Sequence, residues 1–252
     1  FPYPKFMSPI IAVDQAAAIV LTTADEARAL GIPAERWVYL HGGGDAHDIW
    51  WLKDRVAYHS SPGMALAFEQ ALVQAGVAPD AFSAIDVYSC FPAASAFAAD
   101  LLGLPADGSR PLTVTGGLPY FGGPGNNYVT HAIATMVERL RTAPGTLGLV
   151  SGLGWYMTKH AVGIYGTAPP VRPWGRPAGE PLQARIDGLA HPPAVPTATG
   201  RARIETYTVL HDRDGVASNA IIVARLDDWT RTFANLEPDP EGFALFEREE
   251  MV

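Results

Sequence analysis

Between Gly116 and Gly125 the chain carries five glycines in ten residues, within the run GGLPYFGGPGNNYVTH. The run follows a strand-like PLTVT and opens an amphipathic helix. A glycine gives up more conformational freedom on folding than any other residue, so such a density persists only where the backbone turns sharply or must be closely approached. A strand, a glycine turn and a helix N-terminus in that order read as an α/β unit with a ligand site at the turn.

The rest of residues 1–168 agrees, alternating short apolar runs with helical patterns. ADEARALGIP has Asp25 and Glu26 in a first turn and stops at Gly31 and Pro33. RWVYL, 36–40, reads as a strand. In SSPGMALAFEQALVQAGVAPD, Ser60 or Ser61 is the N-cap, Pro62 the first turn, and Gly76 with Pro79 the stop. Its apolar residues lie on almost every face, which predicts burial on both sides. Strands are expected at 85–88 and 112–115, with a helix at 93–102 between them. Val129, Ala132, Ile133, Met136, Val137 and Leu140 make one helical stripe, and 147–151 and 161–165 read as two further strands.

Beyond 168 the composition changes. Eight prolines between Pro169 and Pro196 mark a linker, 169–199. RARIETYTVLH, the turn DRDG and NAIIVARL then form a hairpin signal with WTRTFANL as a third strand, giving a small all-β domain at 200–252.

With 252 residues, 48% of them hydrophobic, the chain can bury a sizeable core. A net charge of -8 without any basic cluster opposes nucleic-acid and anionic-membrane partners. Cys90 is the one cysteine, so there is no internal disulfide, and a reducing cytoplasmic location is expected. No apolar run reaches the ~18 residues of a membrane span. His41, His47, His59 and His160 lack metal-ligand spacing, so no metal is expected. The chain starts at Phe1 and runs into apolar PIIAVDQAAAIVL, which predicts that an N-terminal portion precedes it.

Among these pieces, VDQAAAIVLTT is similar to the Asn-Asp-Gly-Ala-Ala segment of thiolases. YSCF at 88–91 stands where they carry Asn-Glu-Ala-Phe or His-Asp-Cys-Phe, and GGLPYFGGPGNNYVTHAIATMVERL where they carry a Gly-His-Pro loop and its helix. LGLVSGLG stands at their Cys-x-Gly. Residues 1–168 thus resemble the C-terminal half of the thiolase superfamily, an α/β fold of a mixed sheet with buried and covering helices. The tail, especially GRARIETYTVLHDRDG, is similar to the additional OB-like domain of thiolase-like proteins of the acetyl-CoA acetyltransferase kind.

The resemblance implies a lipid-metabolic acyltransferase with an acyl-CoA thioester as substrate and no further cofactor. Its partners would be an N-terminal half or complementary chain and a homo-oligomeric mate. Tyr88, Ser151 and His131 are then the catalytic candidates, and Gly122, Gly123, Asn126, Asn127 and Phe91 the substrate-binding ones. Gly123 replaces the Gly-His-Pro histidine, Ser151 the second cysteine, and Tyr88 and Ser89 the first two residues of His-Asp-Cys-Phe. Cys90 matches the third position of that motif, which is not the nucleophile. This pattern implies loss of standard thiolytic chemistry and leaves retro-aldol or other carbon–carbon chemistry open, since some thiolase-like aldolases carry Tyr-Asp-Ser-Phe there. A non-catalytic acyl-CoA-binding or scaffolding role is the alternative.

Overall fold

A computed structural model describes residues 3–105, 107–175 and 179–252, which divide into two compact units, one built from 3–48 and 60–187, the other from 49–59 and 188–252. In the first, α1 (Ala24–Ala29) begins where the Thr23 hydroxyl accepts the Glu26 amide. The strand expected at 36–40 starts later, as β1 (Tyr39–His47), because Ala34–Arg36 first forms a 3-10 turn. β1 runs through HGGGDAH. A Cβ at Gly42 or Gly44 would strike the carbonyl oxygens of Ala71 and Ala67 in α2 (Pro62–Ala75), so these glycines let the helix lie directly on the strand.

α2 has the expected ends, with Ser61 accepting the Met64 amide and Gly76 closing it at φ 69°. It is not buried on both sides, since Glu69 and Val73 form an exposed strip one turn apart. β2 (Phe82–Asp86) and α3 (Pro92–Leu102) follow. Residues 112–115 do not join the sheet as a strand. The amides of Val114 and Thr115 donate to the Asp86 carboxylate at 2.9 and 3.2 Å, which leaves them unavailable for a ladder.

α4 (Tyr128–Thr142), β3 (Leu147–Gly154) and β4 (Lys159–Gly166) complete a mixed sheet of order β1-β4-β3-β2, in which only β2 and β3 pair in parallel. Register assigns its two faces. Gly44 lies opposite Val162 and Val162 opposite Ser151, so these residues share the α2 face with His160 and Leu153. Gly148 and Gly152 belong to the other face, where added β-carbons would meet Met136 and Val129 of α4. The core there is built on Tyr128, Ala132, Met136, Leu140 and Val150.

Residues 9–22 form neither helix nor strand and run across the glycine turn. Ile10 donates to Leu118 O at 3.2 Å and accepts from Gly123 N–H at 2.8 Å. The linker is shorter than the prolines suggest. Residues 176–178, with Pro177, lie outside the described residues, and α5 (Gly179–Asp187) follows directly and packs on β1 and α2. Its Gln183 side chain accepts from the His47 amide and donates to the His47 carbonyl, at 2.9 and 2.8 Å. Such a tertiary anchor leaves no trace in apolar periodicity.

The second unit is an antiparallel meander of β5 (Arg203–His211), β6 (Ala217–Arg225) and β7 (Arg231–Asn235), turning at DRDG with Gly215 at φ 80°. It is not all β. α6 (Pro240–Arg248), capped by Asp239, lays Phe243 and Phe246 on Val209 and Ala220. Among the described residues no helix is long and apolar enough to cross a membrane.

Candidate functional site

The glycine turn is shaped from below by Asp86. Its carboxylate, fully buried at the end of β2, accepts from the hydroxyls of Thr113 (2.8 Å) and Tyr128 (3.1 Å) as well as from the two loop amides. Thr113 Oγ1 in turn accepts the Gly116 amide and Thr115 Oγ1 the Gly117 amide, at 3.0 and 3.1 Å. Ser89 Oγ accepts the Leu118 amide at 3.2 Å. The turn is therefore a fixed shape, and Gly116, Gly117 and Gly122 sit at φ 106°, 81° and 116°, where a side chain would be strained. Burial beside the Asp86 carboxylate keeps the Tyr128 phenol protonated far above its ordinary range.

Tyr88 and Ser151 come together at the carboxyl end of the parallel pair, where open α/β sheets place their ligands. Val150 is the last β3 residue paired with β2, and the Tyr88 amide donates to Ser151 Oγ at 3.1 Å. The Tyr88 ring meets Tyr128 edge-on, 5.3 Å between centroids. Burial, assisted by the neighbouring Cys90, raises the Tyr88 phenol above 10, so at neutral pH it is a proton donor. Burial also raises the Cys90 thiol, which packs against the core built on Tyr128 as a small apolar group and is no ready nucleophile.

Tyr88 and Ser151 line a cleft with His160, walled by Met64, Phe68 and Ala98. Register puts His160 opposite Leu153, diagonal to Ser151 on the same face, roughly 7–8 Å away between α-carbons. His160 Nε2 lies 3.1 Å from Asp48 Oδ2 and 3.1 Å from Ser61 Oγ, and Ser61 donates to Asp48 at 2.5 Å. Burial opposes ionisation of Asp48, but bonds from His160, Ser61 and the Gly63 amide outweigh it and hold the carboxyl below its usual range. These three side chains are not a serine-hydrolase triad. One imidazole nitrogen faces both partners, so no nitrogen bonded to the carboxylate is left to take the Ser61 proton.

The remaining sequence candidates are not brought to this cleft as a set. His131 sits two rings away along the ladder Tyr88, Tyr128, Phe121, with its own ring 5.2 Å from Phe121 and Nε2 3.2 Å from Asn127 Nδ2. Asn127 also donates to Gln15 O at 3.2 Å. The Gly123 amide is bound to Ile10, and a Cβ at Gly123 would lie 3.2 Å from Pro9 Cβ, so a side chain at this position requires Pro9 to give way. Gly122 faces Val13 and Gln15. Asn126 is exposed, and Phe91, 47% exposed, stacks on Tyr3 at 5.9 Å. Asp48, Asp86 and His160 are the polar residues that sequence reasoning missed or set aside. A lone aspartate in HDIW or AIDVY gives no sign of burial, whereas the threonines of PLTVT, able to bond a buried carboxylate, were a signal for Asp86.

Residues 181–251 match the family described as the thiolase-like protein type 1 additional C-terminal domain. The fold is similar to the crystal structure of a monomeric SCP2-thiolase-like protein type 1 from Mycobacterium smegmatis, with a TM-score of 0.81 and 38% identity. That similarity covers 90% of this chain and 49% of the other, so the chain spans about half the length of the solved structure. No match was found among curated proteins.

Proposed function

We propose that this chain, a thiolase-superfamily member with an additional C-terminal domain, acts on acyl-CoA thioesters through chemistry other than thiolysis. The observation that carries this reading is that Tyr88, whose backbone amide bonds Ser151 Oγ, lines one cleft with Ser151 at the carboxyl end of β2 and β3, while Gly123 stands where the family carries its histidine. A thioester carbonyl placed there would face a protonated phenol instead of an imidazole and a thiol. In a retro-aldol cleavage the phenol would give its proton to the thioester enolate that receives the electron pair of the breaking carbon–carbon bond, and the proton released from the β-hydroxyl would then restore the phenol.

The nucleophile half of a thiolase lies outside this sequence, so we place turnover in the assembly with an N-terminal half or complementary chain. The extended 9–22 segment supports such a partner, for it exposes Ile11, Val20 and Leu21 at 81%, 87% and 89%. The free Cys90 supports a reducing, cytoplasmic setting. Lipid metabolism is the process such a substrate implies.

In that assembly, Tyr88→Phe should abolish cleavage of β-hydroxyacyl-CoA while acyl-CoA affinity, read by calorimetry, stays within about twofold. A non-catalytic acyl-CoA-binding role is the second reading, favoured by the Gly123 amide being bound to Ile10. Under it the unsubstituted assembly binds acyl-CoA and turns nothing over. Absence of any thioester binding overturns both.

A further inference from the structure

We propose that His160 is a further ligand-contacting group of the cleft, accepting a hydroxyl hydrogen of the bound acyl group on Nδ1. The inference rests on the acyl-thioester reading given above. A carboxylate can only accept, so the 3.1 Å approach of Asp48 Oδ2 to Nε2 fixes the ring hydrogen on Nε2 and leaves Nδ1 as a lone-pair acceptor. That second nitrogen is buried and bonded to no group among the described residues, while the side chain as a whole is 2% exposed. Buried acceptors are seldom left unmatched. His160 also lines the same cleft as Tyr88 and Ser151.

An imidazole whose far nitrogen is held by a buried carboxylate is an oriented acceptor, with its tautomer set before any ligand arrives. Ser61 reinforces this orientation through its own bond to Asp48 and by capping α2. The space walled by Met64, Phe68 and Ala98 is about the size of one water or hydroxyl and not of an acyl chain, so the group that meets Nδ1 there is the hydroxyl. No bond to carbon is made or broken in this step, because the hydroxyl hydrogen is only shared with the ring.

The test uses the N-acetylcysteamine thioesters of 3-hydroxybutyrate and butyrate, titrated into the assembly of the 15N-histidine-labelled chain with its N-terminal half. We expect Nε2 protonated and Nδ1 bare in the free protein. The hydroxylated ligand should bind about tenfold more tightly than its analogue and shift the His160 Nδ1 resonance. His160→Gln, whose amide still donates to Asp48, should bind both equally. An Nδ1–H tautomer, or a hydroxyl preference that survives His160→Gln, overturns the proposal and leaves the thioester reading standing. Failure of both ligands to bind the unsubstituted assembly overturns the two together. If His160→Gln does not fold, the tautomer and the ligand-dependent shift in the unsubstituted chain still decide.

Discussion

At the scale of single residues, chemistry here follows burial more than residue type. Cys90 is the kind of side chain most readily named a nucleophile, yet burial raises its thiol and no basic group lowers it. Alkylation of the native chain by iodoacetamide should therefore be slower than that of a free thiol at pH 7.5. The thiol's pKa is raised, so its thiolate forms only at higher pH, and the rate should climb above pH 9. Fast modification at neutral pH, followed by mass spectrometry, would contradict this assignment. The place of Tyr88 between a strand and a helix was legible in YSCF. The pairing of His160 was not. Its carboxylate partner is 112 residues away, and pairing at that distance is created by the β1–β4 ladder.

Elements were read best where local rules decide them. The ends of α2, with Ser61, Pro62 and Gly76, follow from capping alone. β1 was ended at Leu40, short of three consecutive glycines, whereas Gly42 and Gly44 continue the strand and let a helix press against it. Gly44→Ala should show this. Its Cβ would strike the Ala67 carbonyl and lie 2.9 Å from Gln70 Cβ, so we expect a loss of about 1–3 kcal/mol in denaturant unfolding. Gly175→Ala, with nothing within 4 Å of its added carbon, is the matched control and should change little. The strand expected at 112–115 failed for a related reason. Val and Thr favour extended backbone, but a buried carboxylate at Asp86 took the amides that a sheet would have used.

On the scale of the molecule, each unit has its own polar anchor. In the smaller unit Arg231 is fully buried, pairs with Glu205 through Nε and Nη2 at 2.9 and 2.7 Å, and donates to the carbonyls of Lys53 and Arg55. The guanidinium also lies 4.9 Å over the Tyr58 ring. It thereby joins the 49–59 segment to β5 and β7. Arg231→Ala leaves Glu205 Oε2 and two carbonyls without their donor, while Arg225 still pairs Oε1, and should cost about 3 kcal/mol in this unit. Hydrogen exchange should accelerate across β5–β7 while β3 and β4 keep their protection; equal loss in both would refute the assignment. Burial opposes charge on Glu205, but Arg231 and Arg225 outweigh it and lower its pKa. Its contribution is therefore present above the ordinary value of 4.5 and is lost as pH falls through the lowered one. Composition, periodicity and turn chemistry determined the α/β class, most helix ends and the β-rich tail, because these depend on neighbours within a few residues. Tertiary structure alone decided that α5 docks where a linker was expected, that 49–59 belongs with the C-terminal unit, and that Asp48, Ser61 and His160 meet. Those outcomes depend on contacts across scores of residues, and burial of a charged group is affordable only when every partner is already in place.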